Sequence, residues 1–141
     1  MSDPAPKFPV QAELNPPELA SRLVETATMP WTPTKFTGID IKVLYEDKSS
    51  GLLTALFRWA PGAVLPLHEH VELEQTFVLE GSLEDDEGVV TAGNYVARPK
   101  GSRHVARSRN GALMIAFFLR PNIFFSEDGR REVFNTGHRQ S

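Results

Sequence analysis

The sequence predicts an all-β protein, either a sandwich or a barrel, and three observations support this class. Apolar and polar residues alternate in several short segments, and glycine and proline separate those segments. Only one stretch of the chain has helical periodicity. Strands do not alternate with helices, so the pattern does not fit a parallel α/β sheet. The chain of 141 residues suits a single domain with a substantial core.

Residues 1–30 are expected to form an N-terminal arm that contains one short helix. Prolines are frequent before residue 18 and apolar periodicity is weak, which is typical of an extended segment. The segment NPPELASRLVETA then places Leu19, Leu23 and Ala27 on one helical face. Asn15 can cap this helix and proline suits its first turn.

Residues 31–141 are expected to form the single β domain. The predicted strands and hairpins, in order, are IDIKVLYED, GLLTALFRWAPG, EQTFVLEG, SLEDDEGVVTAGNYVARP, RHVARS, ALMIAFFL and REVFN. The turns fall at Pro61–Gly62, at the acidic hairpin tip EDDEG and at Gly93. About eight to ten short strands at near-regular spacing are typical of a sandwich or barrel.

Composition excludes several classes of function. The chain has no cysteine, so any metal must be held by nitrogen and oxygen ligands. A net charge of -3 gives no general attraction to nucleic acid or to an anionic membrane. The longest apolar run, ALMIAFFL, is much shorter than the roughly 20 residues of a membrane span, and no signal peptide is visible. These features favour a cytoplasmic protein with neither a nucleic-acid nor a membrane partner.

The segment LPLHEHVELEQTF concentrates side chains that bind metals. His68 and His70 are two residues apart, so they share a face in an extended strand, and Glu74 keeps the same parity. His104 lies on a separate predicted strand, which a barrel can bring to the same place. Neutral imidazoles with a carboxylate suit Fe(II), Mn, Ni, Co or Zn. An isolated histidine is more often a surface or core residue, and only the grouping favours ligands.

Other polar and aromatic residues have simpler interpretations. A basic run surrounds His104 and is expected to be a solvated hairpin rim, with a grip on an anionic substrate as the alternative: Arg98, Lys100, Arg103, Arg107 and Arg109. Glu72 is expected to be solvated or to lie just outside the metal ligands, and His138 to be exposed. Four phenylalanines are expected in the core, in an interface or in an apolar pocket beside the metal: Phe117, Phe118, Phe124 and Phe125.

The spacing of these residues resembles the two motifs of the cupin family. The first motif is matched by Gly62, His68, His70, Glu74 and Gly81, with AVLPL, Glu69, VEL and QTFVLE between them. The second is matched by Gly93, Pro99, Gly101 and His104, with NYVAR, Lys100 and SR between them. Every fixed position is present except the last, where Ser108 replaces an asparagine that is usually structural.

The cupin resemblance implies a double-stranded β-helix, that is, a small jelly-roll barrel, with a metal inside it. It implies that His68, His70, Glu74 and His104 bind one divalent transition metal per chain. Fe(II) is the expected metal for activity, and Zn, Mn or Ni are alternatives. Homodimers are common among cupins, and the strand ALMIAFFL is apolar on both faces, so a homodimer is expected.

A closer resemblance concerns two groups of cupins. The segments GLLTALFRWAPGAVLPLHEH and FVLEGSLEDDEG are similar to the cupin domain of zinc-dependent anti-sigma factors. The segment LRPNIFFSEDGR is similar to acetylacetone-cleaving dioxygenases. The second resemblance implies a non-haem metal-dependent dioxygenase that cleaves a small dicarbonyl-like or enolisable substrate. Glu74, or Glu72 just outside the metal ligands, is the expected catalytic base. The alternatives are a non-catalytic module that senses a small ligand and a metal-assisted isomerase, because one fold hosts many functions.

Overall fold

The computed structural model describes residues 3–5 and 7–134, which form an almost entirely β structure. The strands are β1 Thr32–Pro33, β2 Ile39–Asp47, β3 Leu52–Trp59, β4 Ala63–Glu69, β5 Glu74–Asp85, β6 Gly88–Thr91, β7 Tyr95–Arg98, β8 Arg103–Ser108, β9 Ala112–Phe118, β10 Ile123–Phe125 and β11 Arg131–Val133. The predicted all-β class is confirmed. The short strand β10 was expected only as aromatic packing.

The strands form a curled antiparallel sheet in the order β1-β2-β3-β9-β5-β8-β4-β10-β11, with β6 and β7 paired to β5. The first part of β5 pairs with β7 and β9, and its last part pairs with β6 and β8. One long strand therefore belongs to both halves of the barrel. This strand also places Glu74 and Asp85, which both reach the metal centre described below, at its two ends.

Gly81 lies where β5 passes from one half of the barrel to the other. Its φ of 74° is in the left-handed region, and a Cβ atom there would lie 1.9 Å from the carbonyl oxygen of Gly111. A register shift between Val78 and Glu80 adds a bulge just before this glycine. The bulge and the glycine together bend β5, so this motif glycine has a structural role.

The core lies between the two halves of the barrel and follows the alternation of the strands. In β3, Leu53, Ala55, Phe57 and Trp59 are buried, and the residues between them are more exposed. In β9 the buried residues are Ala112, Met114, Ala116 and Phe118. Phe57 and Phe118 meet edge to face, with ring centroids 6.0 Å apart. These inward side chains surround the cavity described below.

The outer face of β9 is partly exposed in the single chain. Phe117 is 42% exposed, and Leu113 and Ile115 are only partly buried. Strand β9 lies between β3 and β5 in the sheet and packs its inner face on the core, so its outer face is the one on which a dimer partner is expected. An apolar strand with one uncovered face produces the same sequence pattern as a fully buried one.

The predicted helix across residues 15–27 is not formed. The N-terminal segment contains a four-residue helix at Gln11–Leu14 and single 3₁₀ turns at Pro17–Leu19 and Thr26–Thr28. Leu23 is 93% exposed, so the expected apolar face has nothing to pack against. Short helices are marginal in water without such packing, which accounts for the wrong prediction. Among the described residues, no helix is long and apolar enough to cross a membrane.

Candidate metal centre

Strand pairing brings two of the predicted histidines face to face. His68 on β4 is the direct partner of His104 on β8, and both side chains point inward. From Leu65 to His68 strand β4 advances three residues, while β8 advances two, from Ala106 to His104. This bulge leaves Pro66 and Leu67 outside and turns His68 to the same face as Leu65. The bulge therefore aims the first histidine into the barrel.

His70 follows β4 and is fixed by the loop that precedes β8. Its backbone N–H donates to the carbonyl of Ser102 at 2.9 Å, and its own carbonyl accepts from Gly101 at 2.7 Å. His70 is completely buried. Gly101 has a φ of 86°, which explains why the second motif needs glycine at this position.

Each of the three imidazoles has its Nδ1 atom engaged by an oxygen. The Nδ1 of His68 contacts the carbonyl of Pro66 at 2.8 Å, and that of His104 contacts Asp85 Oδ2 at 2.7 Å. The Nδ1 of His70 contacts the carbonyl and hydroxyl oxygens of Ser102 at 3.0 and 2.9 Å. These acceptors favour protonation at Nδ1, which leaves the Nε2 atom of each ring with the lone pair that a metal ion needs.

The three histidines form a cluster that fits a single metal ion. One ring nitrogen from each of His68, His70 and His104 lies within 4.8 Å of the other two. The Nε2 of His70 is also buried, and a carboxylate oxygen of Glu74 lies close to it. With the ring proton on Nδ1, a lone pair on Nε2 faces this carboxylate, and a bound cation would remove the repulsion between them. Nitrogen donors of this kind suit several divalent transition metals, so the donor set does not select one of them.

Glu74 lies beside the cluster. Its Oε2 atom is 2.8 Å from the Nε2 of His70, and its side chain is 13% exposed. Burial disfavours the charged carboxylate, but the contact with His70 and the nearby imidazoles outweigh burial and lower the pKa of Glu74. Glu74 is therefore ionised at neutral pH, at a distance where it can share a cation with His70.

Burial also keeps two of the histidines neutral. Desolvation lowers the pKa of His68 to about 4, against a hydrogen bond with the Pro66 carbonyl that acts in the other direction. Desolvation likewise lowers the pKa of His104, although its hydrogen bond to Asp85 opposes the shift. A histidine must be neutral to bind a metal ion. At pH 7 both rings are already neutral, so metal binding does not require either of them to release a proton.

Asp85 and Arg98 are the two site residues that the sequence did not reveal. Asp85 lies at the acidic hairpin tip, as predicted, but its side chain is buried, and Arg98 is buried as well instead of lying at the solvated rim. Arg98 Nη1 lies 2.8 Å from Asp85 Oδ2, and both side chains are buried. Arg98 is opposite Glu74 across the β5–β7 pair, so it faces the barrel interior. The sequence offers one signal for the burial of Arg98. If Arg98 is taken to pair with the inward-facing Glu74, its side chain must also point into the barrel.

The other candidate residues lie outside the centre. The remaining basic residues are exposed and form ion pairs, as the rim interpretation predicted: Lys100 with Glu72, Arg103 with Glu69, Arg107 with Asp86 and Arg109 with Glu84. Ser108 is fully buried, and its hydroxyl donates to the carbonyl of Ser82 at 2.6 Å. Ser108, which stands where the cupin motif has asparagine, therefore has a structural role. His138 lies outside the described residues.

The cluster borders an interior cavity of about 50 Å³. Its polar lining residues include His68, His104, Glu74 and Arg98. Most of the wall is apolar, and its large apolar residues include Phe36, Phe57, Leu65, Met114, Phe118 and Phe124. The expectation that some phenylalanines line a pocket is thus confirmed for Phe118 and Phe124. Apolar walls with a few polar groups at one side are the usual lining of a small-molecule site.

The chain matches a known protein family over most of its length. Residues 19–122 match the family model of the ChrR cupin-like domain. The chain belongs to the ChrR cupin-like family. The match includes both histidine motifs and the strands that surround them. No curated protein sequence matches the chain significantly.

Solved structures similar to this ChrR-like cupin have the same fold. A proposed acetylacetone dioxygenase from Methylibium petroleiphilum has 22% identity and a TM-score of 0.75, over 86% of this chain and 92% of that one. An acetylacetone dioxygenase from Acinetobacter johnsonii has 20% identity and a TM-score of 0.74, over 86% and 89%. The complex of SigE with the anti-sigma ChrR from Rhodobacter sphaeroides gives 21% identity and a TM-score of 0.57, over 67% and 50%. These similarities show a cupin fold.

Proposed function

We propose that this ChrR-like cupin is a metal-dependent dioxygenase that cleaves a small β-dicarbonyl or similarly enolisable substrate. The proposed ligands are His68, His70 and His104, with Glu74 as fourth ligand or catalytic base. The observation that carries the proposal is the group of three histidine ring nitrogens, within 4.8 Å of one another, beside an apolar cavity. The fold similarity to acetylacetone dioxygenases supports the oxygenase class.

The charges around the cavity favour an anionic form of the substrate. His68 and His104 are neutral at pH 7, Glu74 is ionised, and Arg98 is balanced by Asp85. A divalent cation would then leave the site with one net positive charge, which the enolate of a β-dicarbonyl neutralises. When bound, Fe(II) would supply Lewis-acid polarisation of two substrate oxygens and electrons for O2.

The side chains contribute binding, orientation and proton transfer. The apolar walls around Phe118 and Phe124 exclude water, so charge interactions inside the cavity are stronger than in solvent. Glu74 is ionised and borders the cavity, so its Oε2 can accept the proton that a β-dicarbonyl loses on forming its enolate. Glu72 is a weaker candidate for this base, because it pairs with the exposed Lys100.

Oxygen consumption tests the proposal. The Fe(II)-loaded protein is expected to consume O2 when given a small β-diketone, a β-keto acid or a hydroxyacetophenone. The Zn-loaded protein is expected to bind the same compounds without O2 uptake, because zinc is not redox-active. An iron form that binds several of these compounds but consumes no more O2 than free iron would contradict the proposal.

The Glu74→Gln variant then separates two roles for this carboxylate. If Glu74 is the base, turnover falls by roughly 10²–10⁴-fold while metal content changes little. If it is a ligand that must leave for O2 to enter, the variant binds metal more weakly and keeps or gains activity. Metal content and O2 uptake measured on the same samples distinguish these outcomes.

A non-catalytic module that senses a small ligand is the second candidate. The observation in its favour is the family match, because the family is named after ChrR, and the similar structure is an anti-sigma ChrR in complex with SigE. Tight zinc binding, ligand binding and no turnover with any metal would favour this candidate over the oxygenase.

We also propose that two copies of the chain form a homodimer, to which residues 1–30 contribute as an arm separate from the domain of residues 31–141. Two exposed apolar surfaces support this. Phe8 and Leu23 of the arm are 80% and 93% exposed. The outer sheet face presents Phe77, Tyr95 and Phe117, each at least 39% exposed. Light scattering at micromolar concentration is expected to give twice the chain mass, and a 15.7 kDa particle would reject the dimer.

A further inference from the structure

One buried side-chain oxygen in the cavity wall has no partner within the described part of the chain. Asn122 Oδ1 makes no hydrogen bond there, although Asn122 is only 5% exposed. Asn122 lines the same cavity as His68 and His104. Buried polar groups in folded proteins are nearly always hydrogen-bonded, so each exception needs an explanation. Here the chain offers a hydrogen-bond acceptor to a ligand that enters the cavity.

Strand pairing places Asn122 beside the metal centre. In the antiparallel pair of β10 and β4, Phe124 is opposite His68, and their rings are 5.2 Å apart inside the barrel. Two residues further along each chain, the same register puts Asn122 opposite His70. Directly opposite residues of an antiparallel pair lie on one face of the sheet, with Cα atoms roughly 5 Å apart. Asn122 therefore faces the interior next to a proposed metal ligand.

Trp59 Nε1 is also buried without a partner among the described residues, but it does not belong to this end of the barrel. Trp59 is opposite Ala112 of β9, whereas Glu74 is opposite Phe118 at the other end of that strand. Six residues of strand correspond to roughly 20 Å, which a small ligand held at the histidines does not span. Asn122 is therefore the unpaired group that such a ligand meets.

The size of the cavity decides where the ligand must carry the matching donor. A volume of about 50 Å³ gives room for roughly three to five water-sized groups. Acetylacetone has five non-hydrogen atoms besides its two chelating oxygens, so a compound of this size already fills the space. The group that meets Asn122 is therefore attached directly to a chelating carbonyl carbon and is not carried on a long side chain.

We infer that Asn122 is a specificity-determining residue whose Oδ1 atom accepts a hydrogen bond from an N–H group on a chelating carbonyl of the ligand. Diketones, keto esters and ionised keto acids carry no donor at that position, whereas a β-keto amide does. The substrate class is thus a small β-keto amide rather than a plain diketone. This inference rests on the proposed metal-chelating function.

The apolar surroundings make this contact selective. The cavity wall consists largely of apolar side chains such as Phe118 and Phe124, which offer the Asn122 oxygen no alternative donor. A ligand without the N–H group leaves this buried acceptor unpaired, which is expected to weaken binding about 10-fold. A site built to hydrogen-bond its ligand rejects analogues on this basis.

A matched ligand pair tests the inference by binding rather than by turnover. The zinc-loaded protein is titrated calorimetrically with acetoacetamide and with acetylacetone, which differ only by an amino group in place of a methyl group. The two compounds differ in intrinsic chelating strength, so the ratio of their affinities is compared between the wild type and Asn122→Leu. This ratio is expected to favour acetoacetamide about 10-fold more in the wild type than in the variant.

Two controls show whether Asn122→Leu acts through the ligand. Asn110→Leu is expected to keep the wild-type ratio, because Asn110 is exposed and does not line the cavity. Asn122→Leu is expected to keep the wild-type zinc content, because the inferred contact is with the ligand and not with the metal ion. Elemental analysis of the titrated samples measures this content.

NMR of the wild type gives a readout that does not depend on the folding of a variant. A hydrogen bond to Asn122 Oδ1 polarises the amide group, so acetoacetamide is expected to shift the Asn122 Nδ2 signals more than acetylacetone does. The Nδ2 signals of Asn94 are the internal control, because this amide is exposed and donates to Thr91. They are expected to stay in place with both compounds.

Four results would overturn the inference. These are no binding of acetoacetamide, the same affinity ratio in the wild type and Asn122→Leu, equal NMR shifts with both compounds, and loss of zinc from Asn122→Leu, which would make Asn122 a metal ligand. Selective binding without O2 uptake by the iron form would instead contradict the proposed oxygenase and leave this inference intact. O2 uptake with unchanged affinity ratios would contradict this inference alone.

Discussion

Asp85 connects three parts of the metal centre through a single carboxylate. Its Oδ2 atom lies 2.7 Å from the Nδ1 of His104 and 2.8 Å from Arg98 Nη1. Its Oδ1 atom accepts the backbone N–H groups of Glu87 and Gly88 in the hairpin turn at 2.8 and 3.2 Å. These contacts outweigh burial and lower the pKa of Asp85, so it remains charged. Asp85 thus fixes the ring orientation of His104 and the protonation of its Nδ1 atom.

Asp85→Asn is expected to weaken metal binding by about 10–100-fold, because partners that orient a ligating histidine contribute to affinity on this scale. Asparagine keeps the size of the side chain but removes the charge that holds His104 and Arg98. Asp86→Asn is the matched control, since the side chain of this neighbouring aspartate is 98% exposed. Competition with a chromogenic chelator measures both constants. Equal affinities for the two variants would contradict the role given to Asp85.

At the same scale, the sequence reveals the ligands better than their supports. His68, His70 and His104 could be found because both motifs encode their spacing locally. Asp85 and Arg98 could not, because their contact depends on β5 crossing from one half of the barrel to the other. In a sequence, a buried aspartate cannot be told from the exposed acidic residues beside it. The same holds for a buried arginine among exposed basic residues.

At the scale of elements, the bulge in β4 and the hairpin of β10 and β11 build one wall of the centre. The bulge turns His68 inward, and β10 pairs with β4 beside this histidine. The ring of Phe124 lies 5.2 Å from that of His68 and 4.6 Å from that of Phe36. The alternation of residues predicts most strands, but it gives no sign of the bulge, and β10 is too short for alternation to mark it as a strand.

Phe124→Ala is expected to lower the free energy of unfolding by about 3–5 kcal/mol, because it removes a buried aromatic ring and leaves a cavity. Phe125→Ala is the control on the same strand. Phe125 is only partly buried and stacks with Arg103 and Arg131 instead of the core. Its replacement is expected to cost clearly less. Urea unfolding followed by circular dichroism measures both, and equal losses would show that β10 does not pack as described.

At the scale of the whole molecule, the buried centre makes the metal-free protein sensitive to acid. The pKa of His68 is about 4 in the folded chain and near 6.5 in the unfolded chain. Between these values the unfolded chain binds more protons, so the free energy of unfolding falls as pH falls. The lowered pKa values of Glu74 and Asp85 act in the same direction at lower pH.

We therefore expect the metal-free protein to lose up to about 3 kcal/mol of unfolding free energy through His68 between pH 6.5 and 4. Urea midpoints in the presence of a chelator measure this loss. His68→Asn removes this titrating group and is expected to make the profile shallower, with the remaining slope due to His104, Glu74 and Asp85. His138→Asn is expected to leave the profile unchanged. A wild-type profile that is flat over this range would contradict the burial of a neutral His68.

The metal content of the purified protein tests the central claim most directly. Elemental analysis of protein purified without chelators is expected to give one divalent transition metal ion per chain. The His104→Ala variant is expected to lose most of it, and His138→Ala to retain it. Loss in the first variant alone would support the assignment of the centre to the barrel interior. A wild-type metal content in His104→Ala would contradict it.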